Sequence, residues 1–151
     1  LSNIIWWTVK NIATVGFVGY LPVAPGTWGS LAALIFIAVF KFSAPVYVLV
    51  TVFVIAVGTV SAHEVEKPLG RKDPGLIVID EFAGYLVSMM FLPQSAGYFF
   101  SAFILFRIFD ILKPPPLKKL QELQGGMGVM LDDIAAGIYT NLILQLWRLL
   151  T

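Results

Sequence analysis

Five acidic residues lie in or beside apolar stretches of this chain: Asp80, Glu81, Asp110, Asp132 and Asp133. An ionised carboxylate placed in hydrocarbon costs several kcal/mol unless a partner neutralises it. Such residues persist where they bind a cation, relay a proton or carry out chemistry. Hard oxygen ligands of this kind select Mg2+, with Mn2+ as the alternative. Several carboxylates meeting at one point repel one another unless a divalent ion sits among them. All five are therefore candidate metal ligands and candidate catalytic groups.

Their settings differ. Asp80-Glu81 follows Ile77-Val78-Ile79, and Asp132-Asp133 follows Val129-Met130-Leu131. The electropositive N-terminus of a helix favours one acid in its first turn. That ordinary reading accounts less well for adjacent acids among large apolar residues. Asp110 falls near a predicted helix C-terminus, where the dipole disfavours an anion. Arg107, Asp110 and Lys113 recur every three residues and share one helix face. Two readings follow: an ion pair within the helix, or Asp110 on a metal with the two cations on a phosphate. Pro114 ends that helix and fixes where Lys113 emerges.

The segment Pro25-Gly26-Thr27-Trp28-Gly29-Ser30 supplies two hydroxyls and backbone N–H groups at a predicted helix N-terminus. Such a place binds phosphate readily, so Thr27 and Ser30 are candidate substrate contacts beside Arg107 and Lys113. A plain N-cap is the commoner use of either hydroxyl. The segment lacks the Gly-Lys-Ser/Thr ending of a nucleotide-binding loop. Gly125, Gly126 and Gly128 read as a turn. His63, the sole histidine, is expected in a solvated loop, and Glu64, Glu66, Asp73 and Glu122 read as loop charges.

Composition restricts what can hold these groups. Hydrophobic residues make up 58% of the chain and charged residues 13%, and mean hydropathy is +0.86. Soluble domains carry about 25% charged residues, so an all-α, polytopic membrane helix bundle is expected, forming a single domain over residues 1–151. A net charge of +1 and a basic patch limited to Lys113, Lys118 and Lys119 give no case for nucleic acid. With no cysteine and one histidine, thiolate and two-histidine phosphatase mechanisms are excluded, and no serine triad can be assembled with conviction. No cleavable leader is evident. Ile4-Ile5-Trp6-Trp7 is too short for one and reads as a short interfacial helix with tryptophan anchors.

Five apolar runs follow, at Trp28–Phe40, Ala44–Ala62, Leu76–Leu92, Ala96–Leu112 and Val129–Leu150. The sequence predicts about five membrane helices, though the first, third and fourth runs fall short of the roughly 20 residues a span needs. If each crosses once, Lys10, Lys67, Arg71, Lys72, Lys113, Lys118 and Lys119 share one side, against Lys41 and Arg148 on the other. The basic side is the cytoplasmic one. The start of the first run, the acids of the third and fifth and the Asp110 end of the fourth then arrive at that face together.

The four motifs Pro25–Ser30, Val78–Phe82, Phe106–Pro114 and Gly125–Gly137, in this order and spacing, resemble the phosphatidylglycerophosphatase A family over nearly the whole chain. The resemblance implies a bacterial inner-membrane, multi-pass enzyme. It would hydrolyse the terminal phosphomonoester of phosphatidylglycerophosphate with Mg2+, giving phosphatidylglycerol and phosphate. The family's motif residues fall on Thr27, Ser30, Asp80, Glu81, Arg107, Asp110, Lys113, Asp132 and Asp133. The implied partners are the phospholipid substrate and the membrane, with no obligate protein partner evident. The main rival is a small membrane cation transporter using the same acids, which predicts them nearer the bilayer centre.

Overall fold

The computed structural model describes residues 2–151 and is all-α, with no strand among the described residues. The helices are α1 (Asn3–Ala13), α2 (Pro25–Phe40), α3 (Ala44–Leu69), α4 (Ile79–Ser88), α5 (Ala96–Leu112), α6 (Leu117–Gln121) and α7 (Gly126–Leu150). A single 3-10 turn, Val18–Tyr20, lies between α1 and α2.

The organising element is α4. Every one of its residues except Glu81 is buried, and α2, α3, α5 and α7 all pack against it. Hydrophobic burial thus centres on a short helix wrapped by longer ones. The outer faces of the wrapping helices stay apolar and exposed, as at Leu49, Val52 and Phe53 of α3 and at Ile104, Ile108 and Ile111 of α5. Leu142, Leu146 and Leu149 continue that apolar surface on α7. Exposed apolar area on this scale marks a surface meant for another apolar medium or a partner.

The expectation of five membrane helices requires correction. Among the described residues two helices are long and apolar enough to cross, α3 with 26 residues and α7 with 25. At 1.5 Å per residue, the 16 residues of α2 and 17 of α5 reach only about 24–26 Å, against a hydrocarbon core of roughly 30 Å. The third run departs furthest. Its helix spans only 10 residues, and a turn with Phe91 at φ 61° follows. Side chains from α7 accept the role of ending it. Asn141 Nδ2 donates to Ser88 O at 3.0 Å and to Met90 O at 2.8 Å, Gln145 Nε2 donates to Met90 O at 3.2 Å, and Arg148 Nη1 donates to Phe91 O at 3.0 Å. Orphan carbonyls at a buried helix end need such partners.

At the N-terminal side, α1 is helical as expected and leaves Trp7 exposed while Trp6 packs inward. The second run is longer than its apolar stretch, because α3 continues through His63 to Leu69. His63 is therefore helical rather than in a loop; it is exposed and lies beside Gly125.

Candidate active site

The crossing of α4 and α7 brings the acids together. A Cβ on Gly137 would lie 2.4 Å from Gly84 O, and one on Gly84 would lie 2.7 Å from Asp133 O and 2.6 Å from the Phe106 ring. Only glycines allow the two backbones this close. Asp80 stands four residues before Gly84, and Asp133 four before Gly137, so each carboxylate projects one turn from the crossing on the same side. Carboxylate oxygens of Asp80, Glu81 and Asp133 lie within 4.8 Å of one another.

The C-terminal end of α5 supplies the cations. Arg107 Nη1 is 2.6 Å from Asp110 Oδ2 and 4.0 Å from Glu81 Oε1. Lys113 Nζ is 3.8 Å from Asp110 Oδ1 and hydrogen-bonds Asp132 Oδ2. Lys113 sits at the αL position that closes α5, with φ 42°. Glycine is the residue that position favours. Asp110 and Asp132 therefore tether the two cations, while Asp80, Glu81 and Asp133 form a separate acidic triad beside them.

Pairing within the site is incomplete. Asp80 Oδ1, Glu81 Oε2, Asp132 Oδ1 and Asp133 Oδ2 are buried without a hydrogen-bond partner, and Arg107 Nε and Nη1 lack an aligned acceptor. Asp80, Asp132 and Asp133 are each no more than 5% exposed. Native proteins leave few such groups unsatisfied. Five carboxylates also outnumber the two cations among them, so a phosphate dianion approaching the bare site would be repelled. Orphaned hard oxygens, close spacing and an excess of negative charge fit a divalent cation at the triad.

The first turn of α2 closes the remaining side. A Cβ on Gly26 would stand 2.0 Å from Glu81 Oε1 and 3.0 Å from Arg107 Nη1, so the backbone comes within van der Waals reach of both. The N-cap is Ala24, which carries no side-chain cap. Neither Thr27 nor Ser30 is the N-cap. Ser30 is fully buried and its hydroxyl donates to Gly26 O at 2.9 Å, while Thr27 is half-buried in the first turn. Val23 and Ala24 both adopt positive φ, at 64° and 52°, just ahead of this turn. Strain of roughly 1–3 kcal/mol per such residue is characteristic of functional segments.

The structure brings Asp80, Glu81, Arg107, Asp110, Lys113, Asp132 and Asp133 into one cluster, with Gly26 against Glu81 and Arg107 on one side. One neighbour escaped the sequence reading, and one loop charge proved more buried than expected. Gly26 lay inside a recognised motif but was not singled out. Asp73, taken as a loop charge, is half-buried with φ 44°, and its N–H donates to Glu66 Oε1 at 2.8 Å. Burial raises its carboxyl above the usual range, partly offset by the charge of Lys113 and by the Gln121 side chain. Its position seven residues before Asp80, between Lys72 and Pro74, was the available signal.

A carboxylate triad beside an arginine and a lysine, on a helical, apolar-jacketed fold, is chemically suited to phosphoryl transfer. The chain belongs to the phosphatidylglycerophosphatase A family, whose profile matches residues 11–148. It is 40% identical over 138 residues to phosphatidylglycerophosphatase A of Escherichia coli K12, covering 89% of this chain and 80% of that one. The enzyme of the same name from Haemophilus influenzae is 36% identical over 147 residues, covering 92% and 90%. A Bacteroides thetaiotaomicron protein provisionally named phosphatidylinositol-3-phosphatase is 37% identical over 140 residues, covering 86% and 87%. No solved structure matches. The chain is thus a lipid phosphatase of this family, a phosphoric monoester hydrolase.

Proposed function

We propose that the chain removes the terminal phosphomonoester of phosphatidylglycerophosphate, releasing phosphatidylglycerol and phosphate. The whole bundle acts as one membrane-embedded domain, with the site at the headgroup level of the inner leaflet of a bacterial inner membrane. The observation that carries this reading is the triad of Asp80, Glu81 and Asp133 within 4.8 Å, with a buried, unpaired oxygen on each, beside Arg107 and Lys113. The basic residues at that end and the apolar outer faces of α3, α5 and α7 support the orientation.

Asp80, Glu81 and Asp133 would hold Mg2+, and Mn2+ would substitute. The bound ion supplies Lewis-acid polarisation of phosphoryl oxygens and neutralises the carboxylates. Arg107 and Lys113 face the phosphate as charge develops, held in place by Asp110 and Asp132. Glu81, with Oε2 unpaired, would take the proton of the attacking water as the bond from phosphorus to the polyol oxygen breaks, and would return that proton to the leaving oxygen to give the free alcohol. Ser30 fixes the Gly26 carbonyl, and with Thr27 it shapes the α2 turn that closes over the substrate. The acyl chains remain in the bilayer and enter between helices.

The relatives' names include a second substrate. Phosphatidylglycerophosphate and a phosphatidylinositol 3-phosphate share one chemistry: a polyol, diester-linked to the lipid, carrying a terminal phosphomonoester. The proposed substrate belongs to that class. Phosphate release from short-chain phosphatidylglycerophosphate, in Mg2+ and in EDTA, tests the reading. Release that persists in EDTA, or in an Asp133→Asn protein, would overturn it.

A further inference from the structure

The chemistry above leaves unused a cavity of about 420 Å3 lined by charged and amide side chains. Its lining is Lys72, Asp73, Lys118, Gln121 and Glu122. The volume falls in the roughly 300–1,000 Å3 range of small-ligand pockets. One wall is the segment between α3 and α4, and the other is α6. Pro114-Pro115-Pro116 leads into α6, and the fully buried Leu117 anchors it. Lys118 and Gln121 stand three apart on that helix and share a face.

Asp73 joins the two compartments. It lines the cavity and stands in the segment that runs into the first turn of α4, where Asp80 and Glu81 lie, while the opposite wall, α6, follows Lys113 through Pro114-Pro115-Pro116. Its backbone takes φ 44°, a left-handed conformation that aspartate visits more readily than most residues, and the bond from its N–H to Glu66 Oε1 holds it there.

The lining combines two kinds of group. Lys72 and Lys118 have no carboxylate partner within ion-pair distance among the described residues. Asp73, Gln121 and Glu122 offer acceptors. A bare phosphate would be served by the cations and repelled by the carboxylates. A group bearing hydroxyl donors next to a single negative charge satisfies both sets at once. A polyol phosphodiester is such a group.

We propose that this cavity is the headgroup subsite: Lys72 and Lys118 bind the internal phosphodiester, and Asp73 or Gln121 accepts a hydrogen bond from the free polyol hydroxyl beside it. The terminal phosphomonoester then reaches the acidic triad. This inference rests on the function proposed above and adds how the enzyme selects lipids that carry two phosphates.

The test is the Lys72→Gln/Lys118→Gln protein in detergent micelles with short-chain phosphatidylglycerophosphate. KM is expected to rise about tenfold or more, with kcat carrying the smaller part of the change. Inhibition by inorganic phosphate, which needs only the acidic site, is expected to stay as in the parent protein. Lys119→Gln, on the same helix but outside the cavity, controls for lost surface charge and is expected to leave KM in place. An unchanged KM in the double variant overturns the subsite. So does an equal loss in Lys119→Gln, or phosphate inhibition that weakens in parallel. A parent protein that releases no phosphate from this lipid overturns the proposed function instead, and the subsite falls with it.

Discussion

The two ends of α4 solve the same problem in opposite ways. Both present buried polar groups, although the C-terminal end opens to the surface at Phe91. At the C-terminal end every nearby carbonyl has found a donor. Asn141, Gln145 and Arg148 serve Ser88, Met90 and Phe91, and Tyr47 Oη donates to Leu86 O at 2.8 Å. At the N-terminal end Asp80, Glu81 and Asp133 each keep an oxygen unpaired. The first end is finished by the chain itself. The second is finished only by something the chain does not contain. A buried polar group is structural where its partners are internal, and a binding group where they are missing.

That contrast is most directly broken at the triad. Asp80→Asn and Asp133→Asn should each lower phosphate release by about 1,000-fold or more, the scale of losing a principal electrostatic contributor. Neither should lower the melting temperature measured in EDTA, because each removes repulsion among carboxylates rather than a bond. In the parent protein Mg2+ should raise the melting temperature, by the equivalent of about 2.7 kcal/mol at 100 times its Kd. Both substitutions should abolish that shift. Thermal unfolding in detergent, with and without Mg2+, measures all of this. A substitution that unfolds the EDTA-treated protein would make the triad structural and remove the distinction between the ends.

Lys113 sharpens it. The residue holds φ 42° at the close of α5, where glycine would sit without strain. Lys113→Gly should lower stability by about 2–3 kcal/mol, since relief of roughly 1 kcal/mol of αL strain only partly offsets leaving the buried Asp132 carboxylate without its cation. Activity should still fall by about 100-fold as the ammonium disappears from the phosphate. Urea midpoints alongside kcat separate the two effects. A large loss of stability with activity retained at low temperature would reassign Lys113 to the scaffold.

The sequence showed the acids and cations more clearly than the helices that carry them. Asp80, Glu81, Asp110, Asp132 and Asp133 are conspicuous because their type conflicts with their apolar neighbours, and a conflict of type needs no geometry to be seen. Their convergence followed from alternating helix direction. The length of α4 did not, because it is set from a distance. Leu76–Leu92 is apolar throughout, and nothing inside it marks Ser88 as the end. The mark lies in α7, where Asn141, Gln145 and Arg148 follow one another at helical spacing within an apolar run. A polar stripe there could have been read as the cap of another helix. Asp73 does lie in a loop, as expected, but its partial burial was not legible for a related reason: it comes from contacts with Glu66 and α6, both outside its own segment.

The smallest effects belong to the satisfied end, and they are graded by burial. Asn141→Leu should cost about 2 kcal/mol, within the 1–3 kcal/mol expected when a buried carbonyl loses its donor. Two carbonyls depend on that amide, but Gln145 still reaches Met90, so only Ser88 O is wholly orphaned. Arg148→Ala should cost no more than about 0.5 kcal/mol, since Arg148 is exposed and Phe91 O can turn to water. Neither change should alter kcat at a temperature where the protein is folded. Melting temperatures for the pair, measured with kcat at 20 degrees below each midpoint, decide the matter. If Asn141→Leu lowered kcat while leaving the midpoint in place, the C-terminal end of α4 would be part of the catalytic apparatus. The division between a self-completed end and a ligand-completed end would then fail.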